Sequence, residues 1–304
     1  MPSRVKKIDK ATLKSTFAKI AVSLLLGLIC LYFFSKIFKI NNEKSLIPSL
    51  AERISPPTRV FETLKQKKNI ETIQEFPWKQ AKENIENIID RDTGTWAVVI
   101  SQLSAGEALP ILEINQNQVF TAASLMKILV ASYTWQKIDI HEITLEQSIQ
   151  DISLKEHLRR IVNQSNNESW YALNDFFSYN NLQSFSQELG LTMTNVYKNT
   201  TAAGDMDKLL KSVYYSKKIS REGTDATLTL MQKTETEDRI TPALPKNYGL
   251  WHKTGTWEGA IHDAAIIKTP QGNYYTLVIL SQDSPAPREV IRKIVKEVFP
   301  NEEG

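Results

Sequence analysis

Two apolar runs near the C-terminus, Ala260–Lys268 and Tyr274–Ser281, constrain the fold more than any other stretch, because only Pro270-Gln271-Gly272-Asn273 and Thr269 lie near the link between them. Proline, glycine and asparagine in so short a connection are hairpin chemistry, so the runs are expected to pair antiparallel. Gly249–Lys253 adds a strand just before them. Near the other end, Trp96–Leu103 and Ile111–Val119 read as two strands joined across Ser104-Ala105-Gly106. Helical spacing dominates between the two groups, from Ser124 to about Met231, and Ser153-Leu154-Lys155-Glu156 is a capping box ahead of Leu158, Ile161 and Val162. An opening helix at Lys79–Ile89 buries Ala81, Ile85, Ile88 and Ile89, and a final one at Arg288–Phe299 buries Val290, Ile291, Ile294, Val295 and Val298. The pattern predicts an α/β (α+β) three-layer fold. One antiparallel sheet of about five strands is built from both ends of the domain, flanked by the terminal helices, with an all-helical insertion between its strands. No internal repeat is visible, and the stretch is long enough for one sizeable core.

Charge divides the chain. Residues 1–40 hold eight Lys or Arg against the single Asp9, a net +7; the whole chain is +3, so residues 41–304 carry −4. The basic balance belongs to the tail, which removes the main support for nucleic-acid binding. Ile20–Ser35 is free of charge, and with Ile37, Phe38 and Ile40 the apolar segment reaches 21 residues. At about 1.5 Å per residue this matches the hydrocarbon thickness of a bilayer, with Lys36 and Lys39 placed to snorkel outward. Phe33-Phe34-Ser35-Lys36-Ile37 lacks the small residues of a signal-peptide cleavage site, and bulky Ile29 precedes Cys30 where a lipoprotein signal has a small residue. The expected organisation is a cytoplasmic basic tail (1–19), an uncleaved transmembrane signal anchor (20–40), a stalk (41–75) and a domain over 76–299. The positive-inside rule places that domain outside the cytoplasm, on a single-pass cell-membrane protein. Cys30 is the only cysteine, so no internal disulfide forms and the exported part has no thiol catalyst. His141, His157, His252 and His262 show no metal-ligand spacing and are read as non-catalytic; no cofactor or metal is expected.

A hydroxyl, an amine and a helix start coincide at Thr121-Ala122-Ala123-Ser124-Leu125-Met126-Lys127. One helical turn sets Lys127 on the face of Ser124, where a neutral amine can take the hydroxyl proton while unpaired N–H groups at the helix start meet developing negative charge. The pair alone is weak evidence, since Ser3 and Lys6 repeat it in the tail. Two later motifs raise its weight. Ser165-Asn166-Asn167 follows the capped helix, although Ser178-Tyr179-Asn180 repeats that spacing, and Lys253-Thr254-Gly255 occurs once, on the first returning strand.

Together, Ser124/Lys127, Ser165/Asn167 and Lys253-Thr254-Gly255 resemble the three signatures of the class A β-lactamase and penicillin-binding protein family. Trp96-Ala97-Val98-Val99-Ile100 resembles the family's first strand, Asn199-Thr200-Thr201-Ala202 its neck before a long helix, and Arg239-Ile240-Thr241-Pro242-Ala243-Leu244-Pro245 the segment leading to the Lys-Thr-Gly strand; the likeness covers about residues 76–299. It implies Ser124 as nucleophile, Lys127 as general base or proton relay, and Ser165 passing a proton to the leaving nitrogen. It further implies Asn167 holding the substrate amide, Lys253 and Thr254 binding its carboxylate, and an oxyanion hole from the backbone N–H of Ser124 and Thr256, with Gly255 leaving room at the strand edge. Arg239 is either a second carboxylate anchor or a solvated arginine.

The departures bear on the reaction. Class A β-lactamases clear the acyl-enzyme with water activated by a loop glutamate. Glu188 to Lys198, the matching interval, is short and has no acid after Gly190. Glu168 is expected to project into solvent, and Asn166 replaces the family's usual Asp. Three readings follow. The first is a membrane-anchored, monomeric serine hydrolase that forms slowly cleared acyl-enzymes with β-lactams or D-alanyl cell-wall peptides. The second is a true β-lactamase that hydrolyses these antibiotics. The third is a non-catalytic penicillin-binding sensor or wall-binding pseudoenzyme.

Overall fold

The computed structural model describes residues 78–104 and 108–300; the expected tail, anchor and stalk, Cys30, the Ser3–Lys6 pair and part of the Ser104-Ala105-Gly106 turn lie outside them. Among the described residues no helix is long and apolar enough to cross a membrane.

The chain order is α1 (Trp78–Asp90), β1 (Thr95–Leu103), β2 (Ala108–Ile114), β3 (Val119–Thr121), a 3-10 turn (Ala123–Leu125), α2 (Met126–Asp139), β4 (Ser148–Ile149), β5 (Ile152–Ser153), α3 (Leu154–Val162), α4 (Asn167–Phe177), α5 (Tyr179–Glu188), β6 (Thr200–Ala202), α6 (Ala203–Tyr214), α7 (Arg221–Leu230), β7 (Gly249–Trp257), β8 (Ala260–Lys268), β9 (Tyr274–Gln282) and α8 (Pro287–Val298). Five strands form one sheet in the order β2-β1-β9-β8-β7, antiparallel at every pairing. The sheet therefore draws on both ends of the domain, as expected, with the helices inserted between.

The β8–β9 hairpin pairs Ala260 with Gln282 and Lys268 with Tyr274. Its turn is closed by Thr269 N–H to Asn273 O at 2.9 Å and Gly272 N–H to Thr269 O at 3.0 Å. Gly272 has φ +89°, a conformation a side chain would strain. On one face of the sheet, Ile85 and Ile89 of α1 and Val290, Ile291, Ile294 and Val295 of α8 pack on Val98, Ile100, Ala265, Leu277 and Ile279. On the other lies α6, whose Asp207 accepts hydrogen bonds from Ser101 Oγ at 3.1 Å and from Thr276 Oγ1. With both faces covered, β1, β8 and β9 are buried almost throughout.

Three elements depart from their expected bounds. The strand expected over Ile111–Val119 begins at Ala108 and ends at Ile114, because Asn115 turns into the left-handed region (φ 51°) and bonds Trp96 O through its side chain at 2.9 Å. The polar run Asn115-Gln116-Asn117-Gln118 is a turn, and the chain re-enters as β3, pairing with β6 outside the main sheet. The strand expected to stop at Lys253 continues to Trp257. Ser124 sits in a 3-10 turn rather than in the α-helix, which begins two residues later at Met126.

Candidate active site

The site forms where the edge strand β7 meets the 3-10 turn carrying Ser124. The turn is pinned from two sides. β3 pairs with β6 from Val119↔Ala202 to Thr121↔Thr200, and Ala122 N–H donates to Asn199 O at 2.7 Å. On the sheet side, Ser281 N–H donates to His262 Nδ1 at 3.1 Å, which leaves the proton on Nε2 to donate to Thr121 O at 2.7 Å. Burial lowers the His262 pKa to about 4, so this neutral tautomer persists at ordinary pH. At Gly255 a Cβ would lie 3.2 Å from Ala123 Cβ and 3.3 Å from Ala122 O, which is why β7 can run so close to the serine turn. Ala123 (φ 49°) and Ser165 (φ 58°) both hold left-handed backbone, as do several non-glycine residues elsewhere in the described chain.

Lys127 is fully buried and joins the elements. Its Nζ donates to Ser165 O at 2.5 Å and to Asn167 Oδ1 at 2.7 Å, and lies 3.0 Å from Ser124 Oγ. Among the described residues no carboxylate bonds or pairs with it, and desolvation lowers its pKa to about 7. A neutral amine there has two protons for two oxygens that can only accept. Its lone pair is left for the Ser124 hydroxyl.

Lys253 on β7 donates to Ser165 Oγ at 2.8 Å and to Thr254 O at 3.0 Å. Burial first, then the charges of Lys127 and Arg239, lower its pKa to about 7. Ser165 Oγ, also 3.5 Å from Lys127 Nζ, thus sits between two amines. Asn166 contributes structurally: it caps α4 by accepting from Ser169 N–H at 2.7 Å, which turns Asn167 toward Lys127. The repeat at Ser178 is a cap as well, at the α4–α5 junction.

Thr254 is buried on β7, and Thr256 is exposed beyond it. The solvated reading of Arg239 is overturned: the side chain is 1 % exposed, with Nη1 donating to Gly255 O at 3.0 Å and to His262 O, and Nη2 donating to Thr256 Oγ1 at 2.5 Å. A buried guanidinium with these carbonyls fixes the very residues that line the strand edge.

A second charged cluster lies behind β7, and sequence reading missed it. His252, read as an isolated histidine, is buried with Nδ1 2.9 Å from Asp263 Oδ1 and Nε2 3.3 Å from Glu237 Oε2. Burial works against its charge, but Asp263 and Glu237 overcome it and raise the pKa to about 10. Asp263 also accepts from Ile240 N–H at 3.3 Å, tying the segment that carries Arg239 to β8. The signal in the sequence was an ionisable residue on each of two apolar strands linked by a tight turn, Glu258-Gly259.

The loop after α5 is folded down with no acid of its own: Met193 N–H and Thr194 Oγ1 bond Asp205 Oδ2 at 2.7 and 2.9 Å, and Gln183 bonds Thr194 O and Val196 N–H. Glu168 is exposed on α4, as expected.

An antiparallel sheet with a helical insertion, and a Ser-x-x-Lys pair in hydrogen-bond contact with Ser-x-Asn, which in turn meets Lys-Thr-Gly, define the serine-hydrolase class of β-lactamase and transpeptidase-like folds. The sequence model of the β-lactamase enzyme family matches residues 80–300, and the chain belongs to that family of serine hydrolases. A comparison with curated proteins finds no match. Among solved structures, PBP-A is 21 % identical with a TM-score of 0.66, covering 72 % of this chain and 94 % of its own. The β-lactamase from Sphaerobacter thermophilus DSM 20745 is 18 % identical with a TM-score of 0.65, covering 73 % and 96 %. An ancestral (GNCA) class A β-lactamase is 17 % identical with a TM-score of 0.67, covering 72 % and 98 %. At these identities the structures share the fold.

Proposed function

We propose that the chain forms an acyl-enzyme on Ser124 with β-lactams or D-alanyl cell-wall peptides and clears it slowly. The observation that carries this reading is Lys127: a buried amine 3.0 Å from Ser124 Oγ, its protons directed to Ser165 O and Asn167 Oδ1, and its pKa lowered to about 7. Lys127 Nζ takes the Ser124 proton as Oγ attacks the carbonyl carbon. The C–N bond then breaks, and Ser165 Oγ, fed by Lys253 Nζ at 2.8 Å, protonates the leaving nitrogen. The backbone N–H groups of Ser124 and Thr256 hold the oxyanion, and Asn167 orients the acyl amide. Lys253 and Thr254 receive the substrate carboxylate, with Arg239 acting through Thr256 Oγ1; an arriving carboxylate restores the charge on Lys253. No cofactor enters these steps.

Slow clearance is supported by what surrounds Lys127, where among the described residues no carboxylate bonds the amine, and by the acid-free loop after Gly190. PBP-A, a neighbour in fold, has been obtained in a variant as an acyl-enzyme complex with penicillin G. The apolar segment at 20–40 would anchor the domain, as a monomer, on the outer face of the cell membrane, where cell-wall peptides are found. The test is to incubate the full chain in detergent with a penicillin and follow intact mass alongside turnover of a reporter cephalosporin. A persistent adduct that disappears in Ser124→Ala is expected. Rapid turnover without accumulation would make it a true β-lactamase instead, and neither adduct nor turnover with any acyl donor would leave a binding protein.

A further inference from the structure

We propose that Trp170 is a positioning residue that keeps water away from Lys127 and so sets the lifetime of the ester on Ser124. This rests on the acyl-enzyme reading above. Asn167 and Trp170 stand three residues apart on α4 and therefore share a face. That face is turned to Lys127: Asn167 Oδ1 is 2.7 Å from Nζ, and the centroid of the Trp170 ring is 5.6 Å from the same nitrogen. The indole is half-buried, and Tyr171 continues the cover outward, its ring centroid 5.3 Å away and its side chain exposed. The indole Nε1–H is buried without a hydrogen-bond partner among the described residues, so no hydrogen bond there accounts for the ring's place.

Clearing the ester needs a water whose proton has somewhere to go. Lys127 must first pass the proton it took from Ser124 through Ser165 Oγ, 3.5 Å away, to Lys253. Water then adds to the ester carbonyl, its proton passes to the neutral Lys127 Nζ, the bond from the carbonyl carbon to Ser124 Oγ breaks, and Oγ recovers that proton from Nζ. The other groups on Nζ, a peptide carbonyl and an amide oxygen, are poor bases, and Glu168 is exposed to solvent. The water must therefore share Lys127, and the indole face occupies the flank of that amine. A cation over an indole is also held by the ring quadrupole, so the ammonium formed during acylation is stabilised without a carboxylate that would later activate water. Replacing the indole with a methyl group frees room for more than one water beside Nζ.

The experiment uses the full chain in detergent, acylated with benzylpenicillin, freed of excess drug and followed by intact mass. Trp170→Ala is expected to shorten the adduct half-life about tenfold relative to its rate of formation, and Trp170→Phe to stay within about threefold of the unsubstituted chain. Should Trp170→Ala form no adduct, Trp170→Leu, which keeps apolar packing but uncovers the amine, must show the shortening. An adduct with the same half-life in the unsubstituted, Ala and Leu chains overturns the role of Trp170 alone. No adduct even in the unsubstituted chain overturns the acyl-enzyme reading, and this proposal with it.

Discussion

Lys253 and His252 are neighbours on one strand, and burial works against the charge of both, yet their pKa values move in opposite directions. Successive side chains on β7 point to opposite faces, so Lys253 faces Ser165 and Lys127 while His252 faces the layer behind. In front, Lys253 meets Ser165 and the positive charge of Lys127, and both lysines fall to about 7. Behind, His252 meets Asp263 and Glu237 and rises to about 10. The difference is the partner: among the described residues neither lysine bonds a carboxylate, and Asp263 offsets the lowering of Lys253 only in part, whereas the His252 imidazole is bonded to two carboxylates. The rear cluster secures β7 and the Arg239 segment while the front remains chemically labile.

The largest expected break in this contrast is Lys127→Ala. Without the amine, Ser124 loses its proton acceptor, and the acylation rate measured by stopped-flow with a reporter cephalosporin should fall about 10³-fold. Next comes His252→Leu, which leaves Asp263 buried without its cationic partner. Urea unfolding should show a loss of about 3 kcal/mol, whereas a purely solvated histidine would cost almost nothing.

The pH dependence of stability separates the two faces. His252 is raised from 6.5 to about 10, so its stabilisation is complete below pH 6.5 and is lost as pH climbs through 10. Lys127 and Lys253 are lowered from 10.5 to about 7, so their penalty is complete below pH 7 and is relieved as pH rises toward 10.5. Between pH 7 and 10, melting temperatures of His252→Gln should therefore rise, and those of Lys127→Met should rise less or fall. Parallel slopes in the two variants would break the contrast. The smallest effect is expected from Glu168→Ala: an exposed carboxylate outside the Lys127 cluster should change acylation and clearance by less than about twofold.

Much of this was legible in the sequence. The β8–β9 hairpin followed from two apolar runs and a Pro-Gly-Asn link, and α3 from its capping box, whose Ser153 Oγ accepts Glu156 N–H at 3.3 Å. The three motifs converge as their resemblance implied. What escaped was tertiary. Nothing local said that Asn115 would end a strand, that Arg239 would turn inward, or that His252 would find Asp263 across a hairpin and Glu237 from a loop. Trp170 was invisible for the same reason: an aromatic on an amphipathic helix reads as packing until its neighbour is known to be an amine.

A neutral Lys127 acting as base toward Ser124 should show in the rate of penicillin adduct formation on the full chain between pH 5 and 9, read by intact mass. The rate should rise with pH as Lys127 loses its proton, with a midpoint near 7, and should collapse in Lys127→Ala. A rate flat across this range, or equal in Lys127→Ala, would contradict it.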